Sequence, residues 1–133
     1  MIVISECEIS EVSGLFDAAK KDRVDPRPGK RKIIWVKAVS DGVVVGFAKV
    51  IEMSATRVRL SGLYVLPSHR RKGIGYRLVE HVVSLRRDID LFCYQQDLYK
   101  TFGFEAIRET TTSNGRTYYM IYNKELNERF LEL

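Results

Sequence analysis

Residues 66–80 read LPSHRRKGIGYRLVE: His69, Arg70, Arg71 and Lys72, then Gly73 and Gly75, stand directly ahead of an apolar run with helical spacing. A helix start points unpaired backbone N–H groups outward and carries partial positive charge. Glycine there lets those groups approach a ligand with no Cβ in the way. Successive free N–H groups form a concave anion site suited to phosphate oxygens. Two familiar phosphate loops fail on spacing. The G-x-x-x-x-G-K-[ST] pattern of a Walker loop is absent, and Leu78 stands where a dinucleotide fingerprint needs its third glycine. What the stretch offers is R-x-x-G-x-G, Arg70 through Gly75, preceded by LYVLP. The expected ligand is a phosphate or pyrophosphate.

Such a site needs a strand leading in and a helix leading out. RVRLSGLYVL (57–66) alternates as a strand should and stops at Pro67. Ile74, Leu78, Val82 and Leu85 recur at helical spacing and predict a helix over 74–87. Upstream, KIIWVKAV (32–39) and VVVGFAKVI (43–51) flank Ser40-Asp41-Gly42, a strong hairpin signal. IVISEC (2–7) reads as a strand. SEVSGLFDAAKK (10–21) reads as one helix capped by Ser10, with Val12, Leu15, Phe16 and Ala19 on its apolar face. DRVDPRPG (22–29) is a loop.

Downstream, DIDLFCYQ (88–95) is a strand and DLYKTF (97–102) a short helix stopped by Gly103. Asn114-Gly115 turns a second hairpin, and the tail KELNERFLEL is expected to be helical. The order is thus β-α-βββ-α-β-α-ββ. Its one strand–helix–strand passage requires a parallel pairing with a right-handed crossover; the rest is antiparallel. The expected fold class is α/β (α+β), a single domain over residues 1–133 whose mixed, mostly antiparallel central sheet is flanked by helices.

A chain of 133 residues can bury a core without staples. Its apolar runs fall short of a bilayer span, and MIVISECEIS lacks the features of a signal peptide. A cytoplasmic protein without a membrane partner is expected. Cys7 and Cys93 lie far apart, with no second Cys or His at ligand spacing, so buried reduced thiols are expected and no metal. The net charge of +5 is concentrated in RPGKRK (27–32), HRRK (69–72) and LRRD (85–88). That charge suits nucleic acid, an anionic surface or an anionic small molecule. Because the basic residues are not interleaved with aromatics along one strand face, a small nucleic-acid-binding domain is the weaker alternative.

The segment LYVLPSHRRKGIGYRLVEHV resembles the acetyl-CoA signature of the GNAT superfamily of N-acetyltransferases. Downstream, DLYKTFGFE is similar to that family's tyrosine-containing helix ending in Gly-Phe. The two motifs stand in family order, and the resemblance covers roughly residues 32–123. It implies a GNAT-like fold and transfer of an acetyl group from acetyl-CoA to a primary amine of a small molecule or protein. By position, it implies that the N–H groups of Arg70, Arg71, Lys72, Gly73, Ile74 and Gly75 hold the coenzyme A pyrophosphate. It puts the backbone of Leu63, Tyr64 and Val65, at a bulged strand end, beside the pantetheine arm. The N–H of Val65 would donate to the thioester oxygen, and Tyr99 would sit near the sulfur. Arg71 departs from the family's frequent glycine, and Gln95 or Gln96 stands nearest a common asparagine.

Direct attack requires a neutral amine, a donor aimed at the developing oxyanion, and a proton source for the leaving thiolate. Tyr99 is the expected acid, though a short-helix tyrosine also reads as a core aromatic. The signature strand carries no carboxylate or histidine, which leaves Glu52 or a water chain as the base. That gap keeps a coenzyme-A-binding protein without catalysis as an alternative. His69 and His81 have no partner at motif spacing, and Trp35, Tyr118, Met120 and Tyr122 read as packing. Phe130, Leu131 and Leu133 are candidates for a homodimer contact.

Overall fold

The computed structural model describes residues 1–128; Phe130, Leu131 and Leu133 lie outside them. Alternating apolar residues and tight turns form seven strands: β1 Ile2–Cys7, β2 Ile33–Ser40, β3 Val43–Glu52, β4 Arg57–Val65, β5 Asp88–Cys93, β6 Glu105–Thr112 and β7 Gly115–Tyr122. They make one sheet in the order β1-β2-β3-β4-β5-β7-β6. The helices are α1 Ile9–Val12, α2 Phe16–Lys21, α3 Ile74–Val83, α4 Asp97–Lys100 and α5 Lys124–Glu128. Neighbouring strands are antiparallel except β4 and β5, the pair bridged by α3. The mixed, mostly antiparallel sheet is the one expected.

Three local expectations need correction. The single helix over 10–21 is two helices, broken by a 3₁₀ turn at Ser13–Leu15 where Ser13 and Gly14 are weak helix formers. Its cap is Glu8 rather than Ser10: Glu8 and Glu11 form a capping box, and the Glu8 N–H donates to Glu11 Oε2 at 2.8 Å. The helix expected over 74–87 ends at Val83, and Arg86 turns left-handed at φ +58°. The two cysteines are free but only half-buried. Burial raises both thiol pKa values, that of Cys7 to about 11.

Two cores fill the two faces. On one, α3 buries Ile74, Leu78, Val79 and Val82 against Val50, Leu60, Ile89 and Met120. On the other, Val12 and Ala19 of the N-terminal helices cover Trp35, Phe47 and Tyr64. Phe16 completes this aromatic cluster, 5.3 Å from Trp35 and 5.5 Å from Phe47 between ring centres. β4 crosses between the cores. Its register with β3 jumps from Val50↔Leu60 to Lys49↔Gly62, leaving Ser61 as an extra residue. Leu60 therefore joins the α3 core while Tyr64, four residues on, joins the aromatic one.

The second face also carries a buried carboxylate. Asp90 accepts from Arg59 Nε at 2.8 Å and a second Arg59 nitrogen at 3.0 Å, and from the Tyr119 hydroxyl at 2.7 Å. Burial alone would raise its pKa; the donated hydrogen bonds outweigh that and lower it. The stabilisation is therefore full above the ordinary carboxylate pKa of about 3.9 and fades as pH falls through the lower folded value. Asp90→Asn is expected to cost about 2 kcal/mol at pH 7, less than for a fully buried pair because Arg59 keeps solvent contact. Urea unfolding should show the gap to the parent narrowing below about pH 4.

Candidate active site

β4 ends at Val65, and a 3₁₀ turn, Pro67–His69, carries the chain round to α3. Arg71 and Gly73 both turn left-handed, at φ +63° and +79°. Alternation of this kind aims consecutive amides into one concavity. Among the described residues, no carbonyl accepts from the N–H groups of Arg71 through Tyr76; the first such bond runs from Arg77 N–H to the Gly73 carbonyl at 3.1 Å. An ideal Cβ on Gly73 would meet no atom within 4 Å, so the hollow is open. Arg71 carries the strain of a left-handed non-glycine residue.

Arg70 is placed differently from its neighbours. Its N–H turns in toward the Pro67 carbonyl at 3.4 Å. Its guanidinium donates to the Val65 carbonyl at 2.8 Å and to Asp22 at 2.6 Å, with its centre 5.7 Å from the Tyr64 ring centre. Arg70 thus ties the end of β4 to the end of α2. The exposed charges left around the hollow are those of Arg71 and Lys72.

β4 and β5 pair only through Arg57↔Asp88, Val58↔Ile89 and Arg59↔Asp90, then splay. Leu66 N–H donates back to the Val45 carbonyl at 2.8 Å. Strand alternation then points the N–H of Val65, like that of Leu63, into the gap. Two cavities meet there. One, of about 400 Å³, is lined by Leu63, Val65, Arg71, Gly73, Gly75 and Leu98 among others. The second, of about 330 Å³, takes in Ser61, Leu63, Phe92, Cys93, Leu98 and Tyr99. Leu63 and Leu98 border both, so the two cavities adjoin and together form a recess, with the amide hollow in one and Tyr99 in the other.

Tyr99 comes from α4, its ring edge-on to Phe104 at 5.8 Å. Burial, with Cys93 beside it, pushes its pKa up to about 12. Its hydroxyl has no hydrogen-bond partner among the described residues and is not sealed from the cavity. Among the described residues no carboxylate lines either cavity. His69 lines the amide end, its Nδ1 2.9 Å from Ser68 Oγ. The structure does not bring Glu52 here. Glu52 pairs with Val58, seven residues down β4 from Val65, a separation of roughly 20 Å at a strand's rise. It is bound there by Arg87 at 3.3 Å.

Sequence reasoning missed Arg23, Phe92 and Tyr94, which line the second cavity. Phe92 and Tyr94 are exposed at the end of β5, and only the strand–helix spacing of 88–99 could have hinted at them. Another concavity, of about 720 Å³ and lined by Ala55, Arg87, Asp88 and Glu128 among others, lies at the opposite end of the sheet.

Residues 30–106 match the family model for the acetyltransferase (GNAT) domain. No curated protein matches the sequence. Among solved structures, the fold is similar to ElaA of Escherichia coli, with a TM-score of 0.73 at 15% identity over 92% of this chain and 100% of that one. It is also similar to Naa50 of Arabidopsis thaliana in complex with a bisubstrate analogue (TM-score 0.70, 19% identity, 92% and 98% of the chains). An aminoglycoside 6'-N-acetyltransferase of Enterococcus faecium gives a TM-score of 0.67 at 20% identity, over 92% and 97%.

Proposed function

The chain belongs to the GNAT acetyltransferase family, and from that membership we propose that it transfers the acetyl group of acetyl-CoA to a primary amine by direct attack. The observation that carries the proposal is a pair of adjoining cavities along a splayed strand edge, one at the unpaired amides and the other at the Tyr99 hydroxyl. The amides of Arg71, Lys72, Gly73, Ile74 and Gly75 would hold the pyrophosphate. The open edges of Leu63 and Val65 would run beside the pantetheine, with Tyr64 fixing that edge from the core. The coenzyme supplies a thioester carbonyl and a thiolate leaving group. Val65 N–H donates to the oxygen on which charge develops as the amine nitrogen bonds the carbonyl carbon. As the carbon–sulfur bond breaks, Tyr99 O–H donates to the departing sulfur.

The amine arrives as an ammonium, with a pKa of about 10.4 if lysine-like, and must lose a proton first. With no carboxylate in the recess, that proton leaves through water to solvent. Turnover therefore follows the ionisation of the acceptor. Below the amine's pKa, kcat/KM should rise about tenfold per pH unit. Tyr99 stays protonated up to about pH 12 and adds no falling limb beneath it. The test is turnover with acetyl-CoA across pH, read by mass spectrometry against a broad amine panel. A plateau set by an enzyme group near neutrality would instead require a protein base.

A further inference from the structure

The loop between α2 and β2 reaches the cavity that holds Tyr99 through Arg23. Its backbone is pinned: Asp22 and Val24 N–H donate to the Ala19 carbonyl, each at 3.0 Å, and Arg23 N–H to the Lys20 carbonyl at 3.1 Å. Buried Lys49 reaches in from β3 and donates to the carbonyls of Asp25 at 3.1 Å and Arg27 at 2.6 Å. Val24 packs on β4 just past the bulge, where an ideal Cβ on Gly62 would come within 3.3 Å of it.

The loop's charges are nearly all matched. Asp22 holds Arg70 at 2.6 Å, and both oxygens of Asp25 bind Arg27, at 3.0 and 2.9 Å. Those bonds hold Asp25 at a pKa of about 2. Arg23 and Lys30 are the exceptions: among the described residues neither has an ion-pair or hydrogen-bond partner, and of the two only Arg23 lines the cavity that holds Tyr99. Arg23 sits left-handed at φ +64°, a conformation costly for a non-glycine residue. It lines the cavity shared with Tyr99, Phe92 and Tyr94, and a neighbouring one shared with Lys20. Among the described residues the recess has no carboxylate to receive a polycation, and Arg23 shares its lining with two exposed aromatics, Phe92 and Tyr94.

We propose that Arg23 recognises an oxyanion, carboxylate or phosphate, on the acceptor, so that the substrates are acid-bearing primary amines rather than polyamines or aminoglycosides. A guanidinium matches either group with two parallel N–H donors. Its charge also disfavours the ammonium form of an amine held nearby, which aids a site without a base. The inference rests on the acetyl-transfer reading and narrows its acceptor.

The test compares kcat/KM with acetyl-CoA, expressed on the concentration of the unprotonated amine so that differences in amine pKa drop out, for matched probes: phenylalanine against phenylalanine amide, phosphoethanolamine against ethanolamine, and spermidine and kanamycin as polycations. Arg23→Asn removes the cation while keeping a residue that tolerates the left-handed turn; Arg23→Lys keeps the charge without the fork. In the parent, acid members should lead their neutral partners by about ten- to a hundredfold in at least one pair. The leading pair tells carboxylate from phosphate. Arg23→Asn should erase the preference, and Arg23→Lys should keep part of it. Equal rates within both pairs, a preference for the polycations, or a preference surviving in Arg23→Asn would overturn the assignment. Calorimetry with acetyl-CoA separates the two levels. Coenzyme binding without acid preference overturns only the acceptor class, whereas absence of coenzyme binding overturns the acetyl-transfer reading and this inference with it.

Discussion

Gly73→Glu is expected to weaken acetyl-CoA binding by at least about a hundredfold while the protein stays folded. The amides from Arg71 to Tyr76 have no intrachain acceptor among the described residues, so an anionic ligand completes them. A hydrogen bond to a charged group contributes about 1.5–3 kcal/mol, and several converge here. A carboxylate built at position 73 would compete for those amides and repel a pyrophosphate. Backbone strain is a smaller effect: Gly73 lies at φ +79°, which costs an L side chain roughly 1–2 kcal/mol. The new Cβ itself meets no atom within 4 Å, so there is no clash to unfold the chain. Gly73→Ala separates the two effects, since it carries the strain without the charge and should lose affinity only several-fold. Calorimetry with acetyl-CoA, paired with urea unfolding, measures both. Unchanged affinity in Gly73→Glu, with the fold intact, would mean the coenzyme is held elsewhere.

Turn chemistry and periodicity made most of this fold legible. Asp41-Gly42 separates β2 from β3, the Leu66-Pro67 break ends β4 one residue early, and Ile74, Leu78 and Val82 face the core as spaced. The bulge was not legible as to position. RVRLSGLYVL alternates without interruption, and a bulged residue changes which face the later side chains take, not their alternation. Only the pairing with β3 locates the extra residue at Ser61, ahead of the Leu63–Val65 edge where a bulge was expected. The role of Arg70 was hidden for a similar reason: its partners, Val65 and Asp22, belong to two other elements. Isolation is harder still to read. Arg23 looks like any other loop arginine until Arg27 and Arg70 are seen to hold Asp25 and Asp22.

Tyr99→Phe should lower kcat by about a hundredfold and leave acetyl-CoA affinity nearly unchanged. With its pKa near 12, Tyr99 is a weak acid toward an ordinary thiolate, whose conjugate acid has a pKa of about 8.5. The same recess alters both partners. Burial that raises Tyr99 also raises the Cys93 thiol lining the same cavity, and a coenzyme sulfur departing there meets the same desolvation. The two pKa values are drawn together, and a phenolic hydrogen bond formed as the sulfur gains charge stabilises the transition state more than the ground state. That difference places the loss in kcat rather than KM. The ring stays in the variant, so the edge-on contact with Phe104 and the packing of α4 are kept. A more acidic leaving thiol should narrow the gap between parent and variant, since it needs less help to depart. Acetyl thioesters of graded thiol acidity, compared under single turnover, measure that dependence. A constant ratio across the series would place Tyr99 outside the bond-breaking step and leave it a wall of the recess.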